Sequence, residues 1–77
     1  MVMIRVEQSE MYRLVNTEDV KLTVYETPDG FVLTENDAVL ITARGSIRTF
    51  ARLDSVHSIV KELGATHYAV STEAIEF

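Results

Sequence analysis

Seventy-seven residues leave room for one domain and no second, and a chain this short buries a thin core. The absence of cysteine excludes disulfides, thiol chemistry and most structural zinc sites. Twelve acidic residues against seven basic ones give a net charge of −5, which argues against a general nucleic-acid binder and against an anionic membrane surface.

In chain order, Val2, Ile4 and Val6 alternate with Met3 and Arg5, the period of a half-buried strand. Gln8-Ser9-Glu10 interrupts it, and Tyr12 and Leu14 resume the alternation, so Met11 to Val15 is predicted as a second strand. Asn16 to Asp19 is a polar turn cluster. Val20, Leu22 and Val24 then alternate with Lys21, Thr23 and Tyr25.

Thr27-Pro28-Asp29-Gly30 is the clearest turn. Pro28 presets φ, Asp29 bonds the local backbone, and Gly30 accepts positive φ. Phe31 to Thr34 returns as a strand, Asn36-Asp37 suits a tight hairpin, and Ala38 to Thr42 is the next strand. Gly45 marks a reversal into Ile47 to Phe50, read as a short strand or an extended arm.

Leu53, Val56, Val60 and Leu63 fall at helical spacing, with Ile59 widening the stripe. Gly64 stands where a helix favours a left-handed residue after its end. Arg52 is a poor N-cap, because a guanidinium cannot accept a hydrogen bond. Tyr68 and Val70 give a last strand, and Thr72 to Phe77 is a short tail.

The predicted fold is α+β. A mainly antiparallel sheet carries one helix, about residues 53–63, on one face, in the order βββββ(β)αβ. The helix stripe with Leu22, Val24, Leu33, Ile41 and Val70 forms the predicted core. Phe31 to Thr42 is apolar at positions facing both sides of the sheet.

Chemistry-bearing residues are few. His57 and His67 titrate near neutrality and become neighbours if the last strand packs beneath the helix, but two histidines alone make a weak metal signal, and solvated side chains are the ordinary reading. No serine sits in a nucleophile elbow, the glycines are too dispersed for a phosphate loop, and the carboxylates share no register that would converge two of them. No catalytic, cofactor or metal residue is assigned, and a non-enzymatic protein is expected.

The one non-random charge feature is positive. Between Ala38 and Leu53 there is no acidic residue, while Arg44, Arg48 and Arg52 all fall there, with Phe50 among them. Arginine beside an aromatic is a frequent contact pair at interfaces, so Arg44, Arg48, Phe50 and Arg52 are the candidate partner-binding residues. Local pairing with nearby carboxylates is the simpler alternative. A weak nucleic-acid contact through the same strip is the other.

The stretch from Leu40 to Val70 carries Arg44-Gly45, Arg48-Thr49-Phe50, Leu53-Asp54-Ser55, Glu62-Leu63-Gly64 and Tyr68-Ala69-Val70. In that order of turn, arm, helix and strand it resembles the small ParC-type partition-associated proteins of plasmids and integrating elements. The resemblance covers under half of the chain. It implies a non-enzymatic accessory protein of a mobile element, and it transfers no catalytic residue.

The expected partner is therefore a protein. A homodimer through the Val2 to Val6 strand is also expected, because a small domain without staples often completes its core by pairing. No run reaches the roughly 18 apolar residues of a membrane span. The first residues lack the apolar stretch of a signal peptide, which points to a cytoplasmic protein.

Overall fold

The computed structural model describes residues 3–16 and 21–73. Its elements are β1 (Ile4–Val6), α1 (Gln8–Val15), β2 (Leu22–Thr27), β3 (Gly30–Glu35), β4 (Ala38–Leu40), α2 (Leu53–Glu62) and β5 (Ala69–Ser71). The fold is α+β, with two helices on a five-stranded mixed sheet in the order β1-β4-β3-β2-β5.

The three central strands form the meander that the turn chemistry predicts. β2 and β3 pair antiparallel from Leu22↔Glu35 to Thr27↔Gly30, and β3 and β4 pair antiparallel at Thr34↔Val39 and Glu35↔Ala38. Asn36 takes φ 47° in the second turn, a left-handed value that asparagine tolerates. Gly30 has φ 133°, and a Cβ there would lie 2.7 Å from the Phe50 carbonyl oxygen. Glycine is needed at that position for both conformation and space.

Two expectations are corrected. The sheet is mixed, because both outer strands join parallel, β1 to β4 and β5 to β2. Parallel neighbours need a crossover, and each crossover contains one helix: β1 reaches β4 by way of α1, β2 and β3, and β2 reaches β5 by way of β3, β4 and α2. The segment from Met11 to Val15 is consequently the body of a second helix and not a strand. Met11 and Val15, four apart, are buried, while Tyr12 is 52% exposed. Over five residues, alternation at Tyr12 and Leu14 competes with the i, i+4 pair Met11 and Val15, and the docking site decides between them.

The α1 helix ends at Asn16, whose Nδ2 donates to the Tyr12 carbonyl at 2.7 Å. In α2 the N-cap is Arg52, with no side-chain cap bond, and Gly64 follows the helix at φ 87°. Both features match the sequence reading. Ile47 to Phe50 forms no strand of its own. It contributes single bridges, Ile41↔Ile47 and Phe31↔Phe50. The turn at residues 16–19 lies mostly outside the described residues, as do Val2, Val20 and the tail from residue 74.

Both helices cover the same face of the sheet. Met11 and Val15 of α1 and Val56, Ile59, Val60 and Leu63 of α2 share one cluster with strand residues such as Val6, Leu22, Val24, Leu33 and Leu40. The opposite face carries a second, smaller cluster of Met3, Val32 and Val39, with Ile47 packed against it. That cluster accounts for the apolar pattern on both sides of the Phe31 to Thr42 stretch. Of the predicted strand core, Leu22, Val24 and Leu33 are buried and Ile41 is half-buried. Val70 is 48% exposed, because β5 is an edge strand that the helices do not reach over.

Candidate interaction site

The basic segment is the connector between β4 and α2. It is held by its own backbone and by its neighbours. Thr42 N–H donates to Ser46 at 2.8 Å and Gly45 N–H to Thr42 at 2.9 Å, which closes the turn. Arg48 N–H returns to Leu40 at 3.0 Å, and Phe50 exchanges both backbone bonds with Phe31, at 2.8 and 2.9 Å. A segment without strand or helix is thus fixed at both ends against the sheet.

The four sequence candidates occupy different environments. Arg44 is exposed at the tip of the turn. Arg48 is half-buried. Its Nη1 donates to Gln8 Oε1 at 3.2 Å, and its guanidinium lies 4.9 Å from the centre of the Phe50 ring, within cation–π range. Phe50 itself is 6% exposed and belongs to the main core, so its ring supports Arg48 from beneath. Arg52 lies at the start of α2, exposed, and meets Asp54 Oδ2 at 3.5 Å.

The fold adds a residue that sequence order does not suggest. Parallel pairing of β1 with β4 brings Arg5 to this corner, and Arg5 Nη1 donates to the Gly45 carbonyl at 3.2 Å. Gln8 is a second addition. Its Oε1 accepts from Arg48 while its Nε2 donates to Glu62 Oε2 at 3.3 Å, tying the connector to both helices. Neither residue is legible in the sequence, because a parallel contact across roughly forty positions leaves no local pattern.

Beside Arg48 is an open hollow of about 350 Å³, lined by Glu7, Gln8, Ser9, Ile41, Thr42 and Arg48. It lies at the N-terminus of α1, where Glu7 already supplies the negative charge that the helix dipole favours. The hollow is therefore matched in charge and is no ready anion pocket.

His57 sets its ring edge-on to Tyr68, with centroids 6.2 Å apart, and His67 Nδ1 meets Thr66 Oγ1 at 3.1 Å. Among the described residues no group of three or more metal-binding side chains comes together. Glu35 is the one buried carboxylate described, 5% exposed at the margin of the helix-covered face. Burial raises its pKa above the usual carboxylate value, and the charge of Asp37 adds to the effect. Asn36 Nδ2 lies 3.4 Å from its Oε2. A shallow hollow on the opposite face is lined by Lys21, Thr23, Tyr25, Thr34, Asn36 and Asp37.

No helix among the described residues is long and apolar enough to cross a membrane. No family model, curated protein or solved structure matches the chain.

Proposed function

We propose that this protein is a non-enzymatic interaction module that docks an acidic protein surface through the corner formed by Arg44, Arg48, Arg52 and Arg5. The observation that carries the reading is the placement of Arg5, which joins the connector from a different strand through its bond to Gly45. An otherwise acidic chain thereby brings Arg5 of β1 to the connector that carries Arg44, Arg48 and Arg52, a segment bonded through its own backbone. A connector whose backbone is already held has less to order on binding, and the forked donors of arginine suit carboxylates.

The residues divide the work. Arg44 and Arg52 are exposed, and Arg52 already meets Asp54. Arg48 is committed in part to Gln8 and Phe50, so it positions the corner as much as it offers charge. Phe50 serves from below, as the core residue on which Arg48 rests.

The experiment is affinity capture with the full chain and with Arg44→Glu. Recovery of one stoichiometric protein by the wild type, lost in Arg44→Glu with an unchanged melt, supports the reading. Salt-sensitive binding of the wild type to a generic DNA or RNA duplex at physiological salt, with no protein captured, replaces it with a nucleic-acid contact through the same arginines.

A further inference from the structure

The sheet ends on two strands that run in the same direction. Following the pairings from β1 through β4, β3 and β2 to β5, only β3 is reversed. Copies of such a sheet can be joined by simple translation, with β5 of one beside β1 of the next and every outer strand still parallel.

The hydrogen-bond parity of the two edges supports that arrangement. Ile4 N–H donates to Asp37 and Val6 C=O accepts from Ile41, both at 2.8 Å, so these groups face β4. The alternate residue, Arg5, turns its N–H and C=O away from the sheet. On the other side, Asn36 N–H donates to Lys21 at 3.0 Å, which assigns the β2–β3 bonds to Lys21, Thr23 and Tyr25. Val24 therefore bonds toward β5, and Val70, opposite it in the parallel register, points its own N–H and C=O outward.

The side chains at the two edges match as well. Ile4 and Val70 are the two large apolar strand residues left exposed, at 65% and 48%, and both lie on the helix-covered side. Arg5 and Ser71 lie on the opposite side. Glu73 is exposed, and its N–H donates to Ser71 Oγ at 3.2 Å.

We infer that the β5 edge of one copy docks the β1 edge of a second copy, head to tail, with Val70 opposite Ile4. In this register Val70 N–H donates to the Met3 carbonyl of the neighbour, and the neighbour's Arg5 N–H donates to the Val70 carbonyl. Val70 and Ile4 cover one another on the helix side. On the other side Arg5 stands opposite Ser71.

Symmetric pairing is less favourable at β1. Centred on Arg5, it sets two guanidinium groups side by side. Centred on Ile4, it leaves Val70 uncovered. Because each strand is only three residues long, the contact is weak and governed by concentration.

The inference shares Arg5 with the corner, here through its backbone and not its guanidinium, and does not involve Arg44. Arg44→Glu abolishes capture of an acidic protein while leaving self-association intact, so failure of one reading is distinguishable from failure of the other.

Sedimentation velocity on the full chain, from micromolar to millimolar concentration, is the test. The wild type is expected to grow in mass with concentration, without stopping at a dimer unless a ring closes. Val70→Pro blocks only the β5 edge and Arg5→Pro only the β1 edge, since both amides face outward. Each variant alone is expected to be monomeric, and an equimolar mixture to form a one-to-one pair through the two edges left intact. Ile4→Lys and Val70→Glu, at exposed side chains that spare the backbone, are each expected to weaken association several-fold, and to restore it when combined in one chain. Those charge variants decide the matter if a proline variant fails to fold. A wild type that stays monomeric throughout overturns the inference. So does Val70→Pro associating as strongly as wild type, which indicates β1 pairing with itself, or Arg5→Pro doing so, which indicates the same for β5.

Discussion

The two faces of the sheet are built from one set of strands and carry unequal cores. On the helix side, Leu22, Val24, Leu33 and Leu40 lie under side chains from both helices, and the cluster reaches Phe50 in the connector. On the other side, Met3, Val32 and Val39 are shielded by one another and by Ile47. Thr34 completes that face, with its hydroxyl donating to the Thr23 carbonyl at 2.9 Å. The contrast teaches that burial alone is a poor measure of importance here. Val32 and Val39 are as inaccessible as Leu33, yet only Leu33 is enclosed by a second layer of structure. A site whose surroundings collapse easily loses less on truncation than one locked between helices and sheet.

The largest effect should come from the enclosed face. Leu33→Ala is expected to cost about 2–5 kcal/mol, read as a lower midpoint in a urea melt with an unchanged slope. A loss no greater than that of an open-face valine would dissolve the distinction between the faces.

Val39→Ala is the matching test on the open side. It should cost roughly 1–2 kcal/mol, because Ile47 is the main cover over it and can settle into the space. Equal costs for Val39→Ala and Leu33→Ala, corrected for side-chain size, would mean that the connector holds the open face as firmly as the helices hold the other.

Glu35 probes the margin of the helix side. Its folded-state pKa is raised by burial and then by Asp37, so it lies above the unfolded value. Between those two values the folded state holds more protons than the unfolded state. Stability is accordingly greatest below that window and falls as pH rises through it. Glu35→Gln should flatten that decline, measured as melting temperature against pH from the acidic carboxylate range upward. A slope identical to wild type would assign the pH dependence to other groups.

The smallest effect is expected at the β5 edge. Val70→Ala in dilute solution should change stability by no more than about 0.5 kcal/mol, since no helix covers that residue. A loss like that of Val39→Ala would show that Val70 is buried in solution.

Much of the meander was legible from local chemistry. Pro28-Asp29-Gly30 and Asn36-Asp37 specify turns through the φ values they favour, and the alternation from Leu22 to Tyr25 specifies which side chains point to the helices. The α2 helix was legible for the same reason, since its stripe and Gly64 lie within a dozen residues of each other. The α1 helix was not. Eight residues hold little more than two turns, and Tyr12 and Leu14 mimic the period of a strand. In the candidate site, Arg44, Arg48 and Arg52 stood out because the acid-free segment is continuous, whereas the inward direction of Phe50 and the arrival of Arg5 did not.

By itself, then, the sequence determined the α+β class, the central hairpins, the α2 helix and the basic connector, all of which depend on neighbours within a few residues. The tertiary structure alone decided that both outer strands join parallel, that both helices lie on one face, that Phe50 belongs to the core and that Val70 does not. Those features depend on contacts between distant positions, such as Arg5↔Val39 and Val24↔Val70. A parallel strand pair has no turn to announce it, and its partner is chosen by which buried surface the crossover helix must cover.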